Sequence, residues 1–536
     1  MKGINTGTSD FEDLVKNGCI YVDKTAYMHR LASDKGNKLI FMSRPRRFGK
    51  SLTVSAFKAL FQGRRNLFKG LAIERIGWKW QTHPVIHFRF SEAATDSLER
   101  FDKTFSSIVK HALETAGYVY DDNEDYSYNF ARAIEYLYAK SVEDHKAGSE
   151  GKGEGVVILI DEYDAPVGHA LDDIPKAEAI RARMSSLYAQ MKDRTGCIRF
   201  LFMTGISKFT KLSVFSALSN IRDMSQDRAY ATMFGYTEEE LTANFEEHLR
   251  EHAVLMGKSY ENYRAELKRW YNGFRFSPDD ETTVYNPISI AYTLSSKSAS
   301  GFNATWATTG RPSMLMNYLR REDVLRIDPE ATQKVRAEMF DVAELRRLRP
   351  IPILYQSGYL TIKAYKDQRF TLGVPDEEVR QDLCLLMTGV AANQDTYWAS
   401  ELGCRLLDAE WDYFFDGLKS LYGAMAYGST EKSVHENSYG RCLSFLLASC
   451  GFRFRMESVQ SNGRADVVAE HSTMICIFEL KVDEPVDKAF KQIREKNYAA
   501  PYLADGRPIW LIGLSFDSKT RHLVDCAAEE WLVASC

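Results

Sequence analysis

The sequence has few of the features that mark membrane, secreted or disordered proteins. Its apolar runs are short, such as residues 156–160, and fall far below the roughly 20 residues that cross a bilayer. Its nine cysteines are widely spaced and form no Cys-x-x-Cys pair, so neither a disulfide framework nor a structural zinc site is expected. The first residues lack the apolar stretch of a signal peptide. We therefore expect a cytoplasmic protein with free thiols and no membrane anchor.

The chain also has no excess of basic charge. Its 69 Lys and Arg residues face 73 Asp and Glu residues, for a net charge of −4. This balance excludes a globally basic nucleic-acid-binding protein, although it permits a local basic groove. The 536 residues are 45% apolar and show no internal repeat, so at roughly 100–200 residues per domain we expect about three globular domains. Shifts in composition place them at residues 1–235, 236–424 and 425–536.

The first chemical pattern is a strand, a loop that ends in Gly-Lys-Ser, and a helix. The segment KLIFMS at 38–43 predicts a short buried strand, and the apolar spacing at 52–61 predicts a helix. Gly49, Lys50 and Ser51 stand where the helix starts, and there the backbone N–H groups and the helix dipole attract phosphate. Lys50 is placed to reach the β- and γ-phosphates of a nucleotide, and Ser51 to bind Mg²⁺.

The rest of this loop is basic and departs from the usual phosphate-binding pattern. That pattern begins with Gly, whereas this loop begins with Arg44. A chance Gly-Lys-Ser at a helix start is the alternative explanation. From Lys35 to Lys50 there are six positive charges and no acid, and the overlap with the loop favours a triphosphate as their partner over solvent. Three more loop residues are therefore candidates for nucleotide contacts: Arg46, Arg47 and Phe48.

Acidic and polar residues follow two further predicted strands. The apolar run at 156–160 predicts a strand buried on both faces, and it ends in Asp161 and Glu162. Ligands bind at this end of strands in open α/β sheets, so we expect Asp161 to hold Mg²⁺ and Glu162 to orient or deprotonate the attacking water. A buried strand with an acidic turn is the alternative. The predicted strand at 198–203 ends before Thr204, whose hydroxyl either contacts the γ-phosphate or belongs to a plain turn.

Short motifs stand in a fixed order around this loop across about residues 1–365. They are YVDKT at 21–25, RPRRFGKS at 44–51, LIDEYDAP at 159–166, FGYTEEE at 234–240, WYNGF at 270–274, YNP at 285–287 and GYLT at 358–361. In this order they resemble the AAA-ATPase-like proteins of bacteria, in which Arg commonly replaces the first Gly of the loop. The resemblance implies a P-loop ATPase core that binds ATP and Mg²⁺, followed by a helical region. It also implies that Tyr21, Asp23 and Lys24 lie near the nucleotide.

A second chemical pattern lies near the C-terminus. The segments at 463–469 and 474–481 predict two strands joined by a polar turn. Side chains alternate along a strand, so Glu479 and Lys481 share a face, and a hairpin would bring Asp466 close to Glu479. Two carboxylates form an oxygen site for Mg²⁺, and a nearby Lys can orient water and offset phosphate charge. An exposed Glu–Lys surface pair is the alternative, but the strand is otherwise apolar on both faces.

This pattern resembles the PD-(D/E)XK nuclease superfamily over about residues 430–525. The motif consists of Asp466 and then Glu479-Leu480-Lys481, with Ala465 where the superfamily has Pro. Other matching segments are HENSY at 435–439, Gln492-Ile493, Tyr498 and IGLSF at 512–516. The resemblance implies a restriction-endonuclease-like α/β domain in which Glu436 and Gln492 support the catalytic residues.

Together these patterns predict an α/β chain with a P-loop NTPase (AAA-like) core, a helical middle region and a C-terminal restriction-endonuclease-like domain. We expect it to bind and hydrolyse ATP and to cleave nucleic-acid phosphodiesters with Mg²⁺, or with Mn²⁺ at the nuclease site. DNA is the expected substrate rather than RNA, and the protein acts as a monomer or a homo-oligomer away from membranes. The alternative is a nucleotide switch that binds nucleic acid or protein without cutting it. A third hypothesis is an NTPase that acts in protein assembly through its helical middle region.

Overall fold

The computed structural model divides the chain into two compact units. It describes residues 1–146, 151–207, 218, 220–298, 301–306, 315, 331–337, 345, 349–428, 436–460 and 463–531, without the side chains of 425–428, 436–439, 457–460 and 463–464. The described residues up to 377 form the first unit, and those from 378 onward form the second. The predicted division into three domains stays a prediction. No helix among the described residues is long and apolar enough to span a bilayer.

The first unit is built on a parallel sheet of five strands, in the order β2-β3-β4-β1-β5. The strands are Leu39–Ser43 (β1), Val85–Arg89 (β2), Val156–Asp161 (β3), Ile198–Gly205 (β4) and Arg222–Asp223 (β5). Every residue of β1 and β3 is buried, as expected for strands covered on both faces. Because the strands are parallel, β1 and β3 end at the same edge, with only β4 between them. The predicted parallel α/β core is confirmed.

Eight helices described up to residue 189 accompany this sheet. They are Phe11–Lys16 (α1), Thr25–Ser33 (α2), Lys50–Phe61 (α3), Ala72–Ile76 (α4), Leu98–Thr115 (α5), Tyr126–Lys146 (α6), Ala165–His169 (α7) and Ile174–Ala189 (α8). Helix α3 starts directly after Gly49, whose φ of 84° lies in the left-handed region that glycine adopts at little cost. The helix therefore begins two residues before the predicted start at 52.

The rest of the first unit is mainly helical, with two small antiparallel sheets. Its helices are Glu238–Leu255 (α9), Tyr260–Tyr271 (α10), Pro287–Ser295 (α11) and Pro350–Ser357 (α12). Its strands are Asn272–Phe274 (β6), Val284–Tyr285 (β7), Gln333–Arg336 (β8), Thr361–Lys366 (β9) and Arg369–Gly373 (β10). Helix α9 begins at a capping box in which Thr237 and Glu240 bond each other's backbone N–H. The predicted helical middle region is confirmed, whereas the sheet β8-β10-β9 was not predicted.

The second unit consists of a five-stranded mixed sheet and five helices among the described residues. The strands, in spatial order, are Arg453–Gln460 (β11), Gly463–Glu470 (β12), Ile475–Val482 (β13), Ile509–Phe516 (β14) and Leu523–Glu530 (β15). The helices are Glu377–Ala391 (α13), Thr396–Leu407 (α14), Trp411–Gly428 (α15), Glu436–Ser449 (α16) and Val486–Glu495 (α17). The two strands predicted at 463–469 and 474–481 correspond to β12 and β13, whereas the edge strands β11 and β15 were not predicted.

The two faces of strand β13 contact different cores. Cys476 and Phe478 pack in a core that includes side chains of α14, α15 and α16. Ile475 and Ile477 pack in a second core with Ile493 of α17. The predicted alternation along this strand is therefore confirmed, and it directs Glu479 and Lys481 to the face covered by α17.

Candidate functional sites

A cavity of about 540 Å³ lies beside the loop that connects β1 to α3. Pockets for small ligands typically measure about 300–1,000 Å³, so this one is large enough for a nucleotide. Its walls include residues 4–9, residues 233–236, and most of the residues predicted for the nucleotide site. Those predicted residues are Tyr21, Lys24, Arg46, Arg47, Phe48, Gly49, Lys50, Ser51 and Glu162.

Lys50 is held by carbonyl oxygens of its own loop. Its side chain is buried, and its Nζ donates to the carbonyl oxygens of Arg44 at 3.0 Å and Pro45 at 2.8 Å. Burial lowers the pKa of Lys50 to about 8, although the nearby Glu162 and Asp161 favour the charged form. A phosphate anion that entered the cavity could replace these two neutral acceptors and would hold the ammonium group more strongly.

Asp161 and Ser51 lie together beneath the loop and fit a magnesium ion. Asp161 is only 5% exposed, and the Ser51 hydroxyl hydrogen-bonds to its carboxyl group. Its Oδ1 is buried and has no hydrogen-bond partner among the described residues. Burial raises the pKa of Asp161, although Ser51 and Lys50 oppose this shift. A hydroxyl and an unpaired carboxylate oxygen are the ligand types that Mg²⁺ takes in proteins.

Glu162 adopts a strained backbone conformation that its neighbours hold in place. Its φ of 52° lies in the left-handed region, which is unfavourable for a residue with a Cβ. The next residue, Tyr163, donates its N–H to the carbonyl oxygen of Thr204 at 3.1 Å. Asp164 accepts the backbone N–H of Ser207 at 2.7 Å and also its hydroxyl. These bonds between the ends of β3 and β4 fix Glu162 at the cavity wall, and sequence analysis missed them.

Thr204 lies in the sheet and contributes nothing to the described cavity wall. It is fully buried, and its hydroxyl donates to the carbonyl oxygen of Met42 at 2.7 Å. This bond crosses from β4 to β1, where the two residues are paired. In this arrangement the hydroxyl stabilises the sheet, and its predicted phosphate contact stays a prediction.

The residues Tyr21, Asp23 and Lys24 differ in their relation to the cavity. Tyr21 lines it, and burial raises the pKa of its phenol. Asp23 instead accepts the N–H and hydroxyl of Thr25 and the N–H of Ala72, so it fixes the start of α2 against α4. Lys24 also reaches the lining, but its ammonium group forms a 2.6 Å ion pair with Glu240 of α9. Their predicted roles near the nucleotide stay predictions.

Three residues of the basic run do not line the cavity: Lys35 is exposed, and the other two make contacts elsewhere in the protein. Lys38 donates to the carbonyl oxygen of Thr195 at 2.6 Å. Arg44 is 2% exposed and lies within the protein, where backbone carbonyls and aromatic rings surround it. The expectation that the whole run meets a triphosphate is wrong for these two residues, because their charged groups are used in packing.

In the second unit, the hairpin of β12 and β13 brings Asp466 to Glu479. Backbone pairing runs from Glu470–Ile475 to Val467–Phe478 and stops before Asp466. The carboxylate of Asp466 then accepts the N–H of Leu480 at 2.8 Å. The end of the hairpin is therefore held by a side chain in place of a backbone carbonyl.

Glu479 is almost fully buried, and only one of its two oxygens has a partner. Lys481 donates to Oε1 at 2.7 Å, whereas Oε2 is buried with no hydrogen-bond partner among the described residues. Burial raises the pKa of Glu479 to about 7, the charge of Asp466 raises it further, and Lys481 opposes this shift. An unpaired oxygen of a buried carboxyl, next to a second carboxylate, fits a divalent cation.

Gln492 completes the cluster from helix α17. Its Oε1 accepts from the Nζ of Lys481 at 2.8 Å, and its Nε2 lies 3.4 Å from the hydroxyl of Tyr498. Helix α17 can approach the sheet because Gly513, the partner of Glu479 on β14, has no side chain. A Cβ there would lie 2.4 Å from Cγ2 of Val486 on α17. The structure thus brings four predicted residues together: Asp466, Glu479, Lys481 and Gln492.

Comparison with known proteins assigns both regions. Residues 5–215 match the family described as "Predicted AAA-ATPase", and residues 434–526 match the PD-(D/E)XK nuclease superfamily. A bacterial protein of Azotobacter chroococcum mcd 1, described as "Uncharacterized protein in vnfD 5'region", is 30% identical over 525 residues and is aligned over 95% of each chain. The chain belongs to the AAA-ATPase-like family and carries a PD-(D/E)XK nuclease superfamily domain. No solved structure matches it.

The two domains of this AAA-ATPase-like protein generally imply the use of a nucleotide and a divalent metal ion. Among the described residues, no group of three or more His, Cys, Asp or Glu side chains could hold a metal. The candidate metal ligands come in two pairs instead, Ser51 with Asp161 and Asp466 with Glu479. A metal at either pair would take its remaining ligands from water or phosphate oxygens, as Mg²⁺ commonly does.

Two helices of the nuclease-like domain, α16 and α17, carry further polar residues near its predicted site. Glu436 begins α16, but its side chain lies outside the described residues, so its supporting role stays a prediction. On α17, Lys488 pairs with Glu484 at 2.7 Å, and Lys491 pairs with Glu495 at 3.7 Å. These exposed ion pairs favour a solvated helix face over a track for the phosphate backbone.

Proposed function

We propose that this AAA-ATPase-like protein binds ATP with Mg²⁺ at the loop before α3 and hydrolyses it. The state of that site would regulate Mg²⁺-dependent cleavage of nucleic-acid phosphodiesters by the PD-(D/E)XK domain. The observation that carries the nuclease proposal is the cluster around Glu479, where a buried carboxyl oxygen has no partner in the part of the chain that the structure describes and a lysine is already in place. A domain that only bound nucleic acid would have no need of this arrangement.

At the nucleotide site, Lys50 would exchange its two loop carbonyls for phosphate oxygens. Ser51 and Asp161 would hold Mg²⁺, and Arg46 and Arg47 would add charge at the same cavity wall. Glu162, fixed by its neighbours at the wall, would orient the attacking water and accept its proton. The cavity lining, which includes Lys50, Ser51 and Glu162, supports these assignments.

At the nuclease site, Asp466 and Glu479 would hold the divalent ion. When bound, such an ion lowers the pKa of water and stabilises negative charge on the phosphate. Lys481 would orient the attacking water and offset the charge that develops on the phosphate. Gln492 would hold Lys481 in position through its hydrogen bond to Nζ. Mn²⁺ is expected to replace Mg²⁺ here because both accept oxygen ligands.

A cleavage assay with the full chain tests this function. Circular DNA, linear DNA and RNA are incubated with Mg²⁺, Mn²⁺ or EDTA, with and without ATP, and the Asp466→Ala variant is the matched protein. We expect the parent to cut DNA with either metal, ATP to change the rate, and the variant to be inactive. Equal cleavage by parent and variant would contradict the assigned site. Absence of cleavage, together with ATP-dependent binding of nucleic acid, would support the nucleotide-switch alternative.

Two further parts of the proposal concern the setting in which the protein acts. All the cysteines that the structure describes are free thiols, which fits a reducing compartment such as the cytoplasm.

ATP-dependent assembly of several copies is proposed as an extension of the AAA-like core. Light scattering with and without ATP measures it, and an unchanged monomer mass would contradict it.

A further inference from the structure

Arg44 stands where the usual phosphate-binding loop has its first glycine, and its side chain is buried. Its guanidinium group donates to three backbone carbonyl oxygens: Ser43 at 2.8 Å, Ser225 at 2.7 Å and Tyr230 at 3.2 Å. Burial lowers the pKa of Arg44 only to about 10, so it stays charged at neutral pH. These partners connect the start of the loop to a segment more than 180 residues away in the chain.

Aromatic rings enclose the same guanidinium group. Its central carbon lies 4.3 Å from the ring centre of Phe276 and 5.5 Å from that of Phe234. Phe234 lines the cavity, so Arg44 lies beside a residue of the cavity wall. Phe48, at the other end of the loop, packs edge-on against Phe274 and Phe276 at 4.8 and 5.1 Å. The ring of Phe276 therefore contacts both ends of the loop.

Packing of Pro45 adds a third set of contacts that fixes the backbone of residues 44 and 45. Pro45 packs against Gly358, where a Cβ would lie 2.7 Å from Cβ of Pro45 and 2.9 Å from Trp306. The carbonyl groups of Arg44 and Pro45 are the two that accept from Lys50. The contacts that hold this backbone therefore also set the position of the ammonium group that would meet the phosphates.

We propose that Arg44 is a positioning residue for nucleotide binding. By fixing the loop to Ser225, Tyr230 and Phe276, it holds the carbonyls of residues 44 and 45, and through them Lys50, in the arrangement that a triphosphate enters. The inference rests on the proposed ATP binding and adds a residue that never touches the nucleotide. The common loop pattern suggests that glycine at position 44 would favour ATP binding. The role of Arg44 predicts instead that glycine at this position weakens it.

The test compares three variants of the full chain with the parent. Arg44→Gly restores the common pattern, and Arg44→Met keeps most of the volume without the hydrogen bonds. Phe276→Leu removes the ring that contacts both Arg44 and Phe48. Arg199→Met is the matched control, since Arg199 also donates to a carbonyl, that of Ala32, and lies 5.8 Å from the ring centre of Phe61, but is not in the cavity wall. ATP affinity is measured well below the thermal unfolding midpoint of each variant, and the KM and kcat for ATP hydrolysis are measured alongside.

We expect ATP affinity to fall about tenfold or more in both Arg44 variants, about 1.4 kcal/mol or more. In Phe276→Leu we expect a loss of about two- to fivefold, as for a cation–π contact. KM for ATP rises accordingly, kcat changes less, and the control binds ATP like the parent.

Unchanged or tighter ATP binding by the folded Arg44→Gly variant would overturn the inference. So would variants that unfold at lower temperature but bind ATP normally, since Arg44 would then be purely structural. If Arg44→Gly does not fold, Arg44→Met and Phe276→Leu decide the question by the same criterion. If the parent protein bound no ATP, the proposed function itself would be contradicted. This outcome is distinct from a failure of the Arg44 inference, which is judged from the ratio of variant to parent ATP affinities.

Discussion

The two candidate sites use the same side-chain types in opposite ways. Each has a buried acid, Asp161 in the first unit and Glu479 in the second, with one oxygen that no described residue bonds, and each has a lysine close by. Lys50 bonds to backbone carbonyls of its own loop, whereas Lys481 bonds to the side chains of Glu479 and Gln492. The first lysine is free to move to an incoming anion at the cost of two neutral bonds. Lys481 is already paired with Glu479, so it belongs to its site before any ligand binds.

Removing the second lysine gives the largest expected effect. In Lys481→Met, DNA cleavage should fall about 100-fold or more, in the range of a lost acid–base or charge-stabilising group. The loss also leaves Glu479 without its donor in a buried place, so the variant should unfold more easily. Gel-based cleavage rates measure the effect, with ATP affinity expected to stay at the parent value. Lys488→Met, which removes an exposed lysine of α17, is the control and should cleave like the parent.

Removing the first lysine should affect binding and leave the second site intact. In Lys50→Met, ATP affinity should fall by about 100-fold because a charged donor to the phosphates is lost. Titration with a fluorescent ATP analogue measures it, and Lys58→Met on the same helix is the control. Cleavage without ATP should match that of the parent, and only its response to ATP should vanish. If both lysine variants lost both activities, the contrast between the sites would be wrong.

The pKa of Lys50 predicts a pH dependence for ATP binding. In the free protein this pKa is lowered to about 8, so above that pH the side chain is neutral and must take up a proton to bind the triphosphate. The dissociation constant for ATP should be nearly constant below pH 8 and rise about tenfold for each pH unit above it. Titrations from pH 7 to 9 at constant ionic strength test this. A constant affinity over that range would show that Lys50 is already charged and engaged before ATP binds.

The raised pKa of Glu479 predicts a pH dependence for stability. Its pKa is raised from the ordinary value of 4.5 to about 7, so between these values the folded protein binds a proton that the unfolded chain has released. The stabilisation of the folded protein by this proton is therefore complete below about pH 4.5 and is lost as pH rises through about 7. The free energy of unfolding should fall by about 1 kcal/mol per pH unit in this window, and Glu479→Gln should abolish that part of the slope. Urea unfolding at pH 5–8 measures it, with the exposed Glu495→Gln as control; equal slopes in all three proteins would contradict the pKa.

Local pattern was enough to predict the strands that carry both sites. Five apolar residues before Asp161 could only be a strand buried on both faces, and the alternation at 475–481 placed Glu479 and Lys481 on one face. The hairpin that brings Asp466 to Glu479 followed from a short turn between two strands. These features depend on residues close together in the chain, which a sequence shows directly.

The missing parts depend on contacts between distant residues. The burial of Arg44 follows from Ser225 and Tyr230, 181 and 186 residues away, and nothing in the basic run distinguishes Arg44 from its neighbours. The edge strands β11 and β15 have mixed polar and apolar residues, and their strand form depends on pairing with β12 and β14. The backbone of Glu162 is fixed by bonds to the end of β4, and neither segment alone predicts that conformation.

Gly513 shows that substitutions outside the polar residues can also inactivate the second site. It has no functional group, yet the space it leaves lets α17 lie close enough for Gln492 to contact Lys481. A single added methyl group would lie 2.4 Å from Cγ2 of Val486 and 3.3 Å from Cβ of Ala489, so these α17 side chains would have to shift. A genetic screen for loss of cleavage should therefore recover Gly513 substitutions alongside those at the charged residues. Such alleles would retain all four polar residues and still be inactive.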